Sequence, residues 1–224
     1  MYTLLYTWNP TPVICIKYRN KNWSDVKREF LDKVLVEGLS FNEYFNRAES
    51  KLKNLEENGV VATEENKYIY LKINNQRMSN RLKSFSPEPE TIDIFRSLDN
   101  DMIWMVLVED WCGDCAQILP VLSKLAELNP RIKLKFMPRD FYPEIMDLYL
   151  TNGARSIPKL VVMDGEGKEL FQWGARPAEA QKVVDSAKAE GAGKEALKER
   201  LHLWYGRDRG KSVETEIVQL LKTL

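Results

Sequence analysis

Residues 102–109, MIWMVLVE, form the uninterrupted apolar run that most restricts the fold of this chain. Such a run is typical of a strand buried on both faces, which requires covering layers on each side of a sheet. From Ala116 onward the apolar residues return at helical spacing, and residues 132–137 alternate as a second strand does. Strand, helix and strand in this order predict a parallel pair joined by a right-handed crossover.

The segments after the second strand predict a mixed sheet. Residues 143–151 have a helical pattern that ends at Gly153. Residues 160–163 and 168–173 flank the sequence Asp-Gly-Glu-Gly, which predicts a β-hairpin and an antiparallel strand. Residues 177–190 then form a closing helix, so the order of elements favours an α/β fold.

Amphipathic helices are also predicted before this unit. Residues 24–36 carry apolar side chains at helical spacing, with Ser24 as the N-cap. Ser40 and Glu43 fit a capping box that starts a second helix. A third helix is predicted from Thr63.

The segment SFSPEPET at 84–91 interrupts the helical pattern and is interpreted as a boundary, because proline disfavours helix in the residue before it. We therefore predict an N-terminal arm and helical extension at 1–85 and a central domain at 86–190. A C-terminal helical extension at 191–224 contains two charged amphipathic helices that are split near Gly206.

Charge and hydropathy argue against several classes of function. Lys+Arg and Asp+Glu number 33 each, so broad electrostatic binding to nucleic acid or an acidic membrane surface is not expected. No stretch approaches the roughly 18 consecutive apolar residues of a membrane span. Residues 1–20 lack a basic n-region and are interrupted by Pro10 and Pro12, which argues against a signal peptide. We expect a cytoplasmic protein with no membrane or nucleic-acid partner.

The three cysteines, Cys15, Cys112 and Cys115, are too few for a disulfide framework and are typical of a reducing compartment. Cys112 and Cys115 lie where the buried strand ends and a helix begins, a position at which open α/β sheets place their active sites. Free N–H groups at a helix start stabilise a thiolate, so Cys112 is predicted to be the reactive, more exposed thiol. Cys115 is close enough in sequence to form a small disulfide with it.

The surroundings of this cysteine pair resemble the thioredoxin family. The matching residues are Trp-Cys-Gly-Asp-Cys at 111–115, Pro120, Ser156-Ile157-Pro158, the turn at 165–169 and Gly174. The resemblance implies a thioredoxin-like central mixed sheet flanked by helices, here with additional N- and C-terminal helices. It also implies a cis Ile157–Pro158 bond beside the cysteines. Trp111 could belong to the core, but its place beside Cys112 favours packing against the substrate.

The activity that the resemblance implies is thiol–disulfide exchange, with a redox-active disulfide and no metal or organic cofactor. Cys112 attacks a substrate disulfide, and Cys115 then attacks Cys112 and releases the reduced substrate. Gly113, Ile157 and Pro158 are expected to support the site. The implied partners are a protein disulfide substrate and an external electron donor such as a thioredoxin reductase-like system.

The dipeptide between the cysteines departs from the family pattern. Thioredoxins usually have Gly-Pro there, whereas this chain has Gly113-Asp114. A carboxylate near the helix N-terminus stabilises the helix but opposes a thiolate on Cys112. Asp114 is therefore expected either to tune the cysteine pair or to act as an ordinary acidic residue of a first helical turn.

A second departure concerns proton transfer. Thioredoxins have a buried aspartate six residues before the first cysteine, and Val106 occupies that position here. Proton transfer at Cys115 then falls to water or to a nearby carboxylate, for which Glu109 and Asp110 are the candidates.

Two other functions and one other kind of site remain open. The chain could be a binding or adaptor module with its specificity in the extra helices, or a redoxin that acts on mixed disulfides with low-molecular-weight thiols. A structural zinc site needs four ligands. Only Cys15 and His202 could complete one, and neither has ligand spacing, so we expect no metal. His202 is expected on the surface or at an interface of a C-terminal helix.

Overall fold

The computed structural model describes residues 23–63, 65 and 67–224, with side chains from residue 28 onward. Cys15 and the segment 1–20 lie outside the described residues. The helices are α1 (Trp23–Glu37), α2 (Phe41–Glu57), α3 (Tyr68–Ser84), α4 (Pro89–Arg96), α5 (Gly113–Ala126), α6 (Pro143–Met146), α7 (Ala178–Ala189), α8 (Lys194–Asp208) and α9 (Lys211–Leu221). The strands are β1 (Met102–Val108), β2 (Ile132–Pro138), β3 (Lys159–Asp164) and β4 (Glu169–Gly174). In this part of the chain, no helix is long and apolar enough to span a bilayer.

The four strands form one mixed sheet in the order β2-β1-β3-β4. β1 and β2 are parallel, whereas β3 is antiparallel to both β1 and β4. Every residue of β1 is buried, as expected for an apolar strand in the centre of a covered sheet. The predicted fold class is confirmed: a thioredoxin-like mixed sheet flanked by helices, with additional helices at both ends.

Two predicted helices are shorter than expected. The helix predicted at 143–151 ends at Met146, because the chain then turns, with Asn152 and Gly153 in the left-handed region at φ 50° and 76°. Of the apolar residues in this turn, Tyr149 is buried, whereas Leu148 is partly buried and Leu150 is exposed. The helix predicted from Thr63 begins at Tyr68, after Lys67 adopts a left-handed φ of 58°.

The start of the first helix also differs slightly. α1 begins at Trp23, so Ser24 lies within it rather than before it. By contrast, the capping box of α2 is confirmed. The Ser40 side chain accepts a hydrogen bond from the Glu43 N–H, and the Glu43 carboxylate accepts one from the Ser40 N–H.

The N-terminal helices pack on the β2 edge of the sheet. The Leu39 backbone, between α1 and α2, exchanges hydrogen bonds of 2.9 and 2.8 Å with Phe136 of β2. The rings of Phe41 and Tyr44 on α2 lie 5.9 and 5.6 Å from that of Phe136. The extension therefore covers a strand edge that would otherwise present unpaired backbone groups.

The C-terminal helices join the same core. Arg81 of α3 donates hydrogen bonds to the Gln117 side chain of α5 at 3.0 Å and to the Tyr205 carbonyl of α8 at 2.8 Å. Glu214 of α9 accepts a hydrogen bond of 2.7 Å from the backbone N–H of Glu88. Both extensions thus share buried contacts with the sheet unit. The division of the chain at residues 85 and 190 remains a prediction about independent domains.

We expect Phe136→Ala to lower the free energy of unfolding by about 3–5 kcal/mol, because it removes a fully buried ring from between α2 and the sheet. Urea denaturation followed by circular dichroism measures this loss. Phe141→Ala is the matched control: that side chain is 68% exposed, and its removal should change stability by less than about 1 kcal/mol. Equal effects of the two substitutions would contradict the packing of α2 on β2.

Candidate functional site

The cysteine pair lies at the turn from β1 into α5. Cys112 is the N-cap residue of α5, with φ −82° and ψ 120°, and its N–H donates to the Glu109 carbonyl at 3.2 Å. Cys112 is partly exposed, whereas Cys115, one helical turn further, is 1% exposed. Both thiols are free. The structure therefore has one accessible and one enclosed thiol, as the position of the pair in the sequence predicts.

The surroundings of the two thiols favour an anion at Cys112 and disfavour one at Cys115. Burial raises the pKa of the Cys115 thiol well above its usual range, and a hydrogen bond and the charge of Cys112 raise it further. Cys112 instead sits at the free N–H groups of a helix start, which favour an anion. Cys112 is thus suited to attack an external disulfide, and Cys115 to react second.

The loop before β3 closes one side of the pair. The Ile157–Pro158 peptide bond is cis. The Cys112 Sγ lies 3.5 Å from the Ile157 carbonyl oxygen, to which the thiol donates a hydrogen bond. Ile157 and Pro158 are both buried. The fold therefore brings Ile157, which is 45 positions away from Cys112 in the sequence, into contact with the reactive thiol.

Trp111 lies beside Cys112 and is partly exposed. The Lys67 ammonium is 4.2 Å from its ring centroid, and the Arg139 guanidinium is 5.0 Å away. Both distances are within the range of a cation–π interaction. The indole is held between side chains from outside its own turn and contributes an apolar surface next to the thiol.

Asp114 is not an ordinary acidic residue of a first helical turn, because it is only 7% exposed and both of its oxygens have partners. Arg176 donates to Oδ2 from Nη2 at 2.6 Å and from Nε at 3.1 Å. The Tyr205 hydroxyl donates to Oδ1 at 2.7 Å. The carboxylate therefore ties α5 to the segment after β4 and to α8.

The sequence did not point to these two partners of Asp114. Arg176 follows Gly174, a residue of the family pattern, by two positions, and this proximity was the one signal that could have indicated it. Tyr205 lies in the C-terminal extension and carried no signal. Burial raises the pKa of Tyr205 well above its usual range, and the Asp114 carboxylate raises it further. The Tyr205 hydroxyl therefore stays protonated and remains a hydrogen-bond donor to Asp114.

Gly113 is required because two extension helices close over it. A Cβ at this position would lie 2.8 Å from the Cε1 atom of His202 on α8 and 3.6 Å from the Nη1 atom of Arg77 on α3. His202, expected on the surface or at an interface of a C-terminal helix, lies at an interface: its partly exposed ring packs against the active-site turn, with Nδ1 buried. Burial and the nearby Arg77 lower the pKa of His202 from 6.5 to about 4.

The two carboxylates proposed for proton transfer have different partners. The Asp110 side chain pairs with Lys51 at 2.6 Å. Glu109 is 9% exposed and accepts a hydrogen bond of 2.7 Å from the Asp140 N–H, while its burial raises its pKa. Both lie on the β1–α5 turn, as predicted, and a role for either in proton transfer remains a prediction.

Within the described ranges, no cluster of three or more His, Cys, Asp or Glu side chains could hold a metal ion.

We expect Asp114→Asn to lower the free energy of unfolding of the reduced protein by about 3–5 kcal/mol, because it leaves the half-buried Arg176 guanidinium without its counterion. Urea titration measures the change. Asp101→Asn is the matched control, since its pair with Arg131 is largely exposed and worth less than about 1 kcal/mol. Similar losses in both variants would contradict a special role for the buried pair.

We expect His202 to make stability fall as the pH is lowered from 6.5 towards 4. Since its pKa is 6.5 when unfolded and about 4 when folded, the unfolded state binds more protons in this window. In His202→Gln this contribution is absent, so the urea midpoint should decline less between these pH values than in the wild type. Parallel pH profiles of the two proteins would contradict a buried neutral imidazole.

Comparisons with known proteins agree with this geometry. A family model described as thioredoxin matches residues 60–188, more than half of the chain. A protein named "Putative thioredoxin 2" from Streptomyces coelicolor is 32% identical over 82 residues, which are 37% of this chain and 59% of that protein's length.

Two solved structures are similar at 17% identity. An HIV epitope scaffold has a TM-score of 0.53, with 91% of this chain and 99% of the scaffold covered. A protein of unknown function from Pseudomonas aeruginosa has a TM-score of 0.48, with 82% and 96% covered. Together with the geometry of the cysteine pair, the extent of the family match shows that this chain belongs to the thioredoxin family.

Proposed function

We propose that this protein is a thiol–disulfide oxidoreductase that reduces protein disulfides through a dithiol–disulfide cycle of Cys112 and Cys115. The observation that carries the proposal is the asymmetry of the pair. A partly exposed thiol caps the N-terminus of α5, and a thiol that is 1% exposed lies one turn behind it. Membership of the thioredoxin family supports oxidoreductase chemistry in general.

In the first step of the proposed cycle, the Cys112 thiolate attacks one sulfur of a substrate disulfide and displaces the other as a thiolate. In the second, the Cys115 thiolate attacks Cys112 Sγ, and the substrate leaves with both of its sulfurs reduced. The pair is oxidised to a disulfide, so an external dithiol donor, such as a thioredoxin reductase-like system, must return two electrons. No other cofactor takes part.

An extended protein segment is the favoured substrate. An open groove of about 930 Å³ runs beside the loop before β3 and is lined by side chains that include Ser156, Arg176 and Gln219. Ser156 precedes Ile157, whose carbonyl oxygen contacts Cys112 Sγ, so the groove begins close to the reactive thiol in sequence and could hold a segment of a substrate chain. Trp111 supplies an apolar contact on the other side of Cys112. We propose that this reduction takes place in the cytoplasm, which fits the use of free cysteines.

One observation favours a second candidate, a redoxin acting on mixed disulfides with low-molecular-weight thiols. Among the described residues, Arg77 has no acidic partner; its hydrogen bond goes to the Asn74 side-chain oxygen at 3.1 Å. This guanidinium lies close to Gly113 and is partly buried, so burial alone lowers its pKa. A carboxylate of a small thiol could pair with it.

We expect Cys115→Ser to accumulate a covalent mixed disulfide between Cys112 and a substrate protein, because the second step is blocked. Incubation with a disulfide-bonded protein, followed by non-reducing electrophoresis and mass spectrometry, measures the adduct. Cys112→Ser is the control and should form no such adduct, because it lacks the thiol that attacks the substrate. Cys15→Ser serves as the background for all variants, so that the remaining thiol does not react.

The reduction potential of the pair then decides the direction of electron flow. Equilibration in graded thiol buffers, read by alkylation, should give a value of about −300 to −230 mV for a reductase. A value above about −180 mV would indicate an oxidant or isomerase. An adduct formed with oxidised glutathione but not with protein disulfides would favour the redoxin. If no reversible transition occurs, the adaptor module becomes the better hypothesis.

A further inference from the structure

Two cations of the N-terminal extension, Lys67 and Arg77 (the α3 cations), lie against the residues that precede and follow Cys112. The ammonium of Lys67, the N-cap residue of α3, is 4.2 Å from the ring centroid of Trp111. Nη1 of Arg77 is 3.6 Å from the position that a Cβ of Gly113 would occupy. The stretch of α3 between the two cations is about 15 Å long, a distance that about four or five residues of an extended chain cover.

The Arg77 guanidinium is held in place by a buried amide. Asn74 is 1% exposed, and its Oδ1 accepts a hydrogen bond of 3.1 Å from Arg77 Nη1. Nδ2 of the same side chain donates a hydrogen bond of 3.0 Å to the Asp110 carbonyl. Because Asp110 belongs to the turn that leads to Cys112, this bridge fixes the guanidinium relative to that turn. The remaining N–H groups of Arg77 have no acceptor among the described residues.

Two further cations near the cysteine pair are already compensated. Arg139 shares an ion pair of 3.0 Å with Asp140, and Arg176 shares one of 2.6 Å with Asp114. Within the described ranges, neither of the α3 cations pairs with a carboxylate. A partly buried guanidinium without a counterion has lost some of its hydration and received no charge partner in return. A carboxylate supplied from outside the fold would restore this balance at the α3 cations.

The acidic side chains of the turn do not neutralise the α3 cations. Asp110 pairs with Lys51 and Asp114 with Arg176, each at 2.6 Å. Glu109 is 9% exposed, and burial raises its pKa, which favours the uncharged acid. The whole chain has 33 basic and 33 acidic residues, so the positive charge beside the cysteines is a local feature of this turn. Charge complementarity therefore favours an acidic partner at this site.

We propose that the α3 cations bind carboxylates that flank the disulfide of a substrate protein, so that the N-terminal extension selects acidic substrates. The inference rests on the proposed function and names the class of protein disulfide that the cysteine pair reduces. No bond is made or broken at the α3 cations, and their attraction for the substrate raises the rate of association. Their separation fits two carboxylates several residues apart on an extended segment and exceeds what one carboxylate can bridge.

The test compares three synthetic peptides, each with one cysteine joined by a disulfide to a short uncharged peptide. At the second position before and the second position after that cysteine, the peptides carry glutamate, glutamine or lysine. Pre-reduced protein in a Cys15→Ser background is mixed with each peptide, quenched with acid, alkylated and analysed by mass spectrometry. We expect the glutamate peptide to be reduced about tenfold faster than the glutamine peptide, and the lysine peptide more slowly than either. In about 1 M salt, where the Debye length is about 3 Å, this preference should largely disappear.

Variants assign the preference to the α3 cations. Arg77→Gln should slow reduction of the glutamate peptide about fivefold, and Lys67→Gln about twofold because its side chain is more exposed. Both variants should reduce the glutamine peptide at the wild-type rate, and Arg77→Lys, which keeps the charge, should retain most of the preference. Lys83→Gln is the matched control, since it removes an exposed charge from the last turn of the same helix and should change no rate. The salt series uses the wild-type residues at these positions and remains decisive if Arg77→Gln folds poorly.

Equal rates for the three peptides would overturn the inference and leave the proposed function intact. An equal slowing of the glutamate and glutamine peptides in Arg77→Gln would also overturn it, since the arginine would then act on the Cys112 thiol rather than on the substrate. A loss with oxidised glutathione but with none of the peptides would assign Arg77 to the carboxylate of a small thiol instead. If none of the peptides is reduced by the protein with both α3 cations, the dithiol cycle of the proposed function fails, and the inference fails with it.

Discussion

The buried carboxylate of Asp114 is the interaction on which the active-site end of this protein depends. It lies in the turn of α5 that joins the two cysteines, and its partners come from the segment after β4 and from α8. A charge in this place is tolerable only because the Arg176 guanidinium and the Tyr205 hydroxyl occupy both of its oxygens. The position of α8, and so of His202 over Gly113, follows from that requirement.

The two extensions meet at the same turn, and both contact it near Gly113. α3 reaches it through Asn74, which donates to the Asp110 carbonyl at 3.0 Å, and α8 reaches it through His202 and Tyr205. α2 packs on the β2 edge, where the Tyr44 ring stacks on that of Phe136. Helices outside the sheet unit therefore cover part of the turn that carries the cysteines. This leaves Cys112 reachable mainly beside Trp111 and the Ile157–Pro158 loop.

Much of the fold was predictable, because its signals are local. The apolar run of β1, the alternation of β2 and the hairpin turn between β3 and β4 each reflect burial of the segment itself. The predictions were wrong where a helical pattern of apolar residues continued beyond the end of the helix itself. The chain turns after Met146 and buries Tyr149 without continuing the helix, and Lys67 in the left-handed region delays the start of α3.

The sequence by itself determined the sheet unit, the cysteine pair at a helix start and the family, because these depend on short segments with strong spacing constraints. It also identified Asp114 as a departure from the family pattern. Only the tertiary structure decided what that residue does and which side chains surround the thiols. Arg176, His202 and Tyr205 lie far from the pair in sequence. Their effect on it depends on distance and burial, which appear only when the helices pack against the sheet.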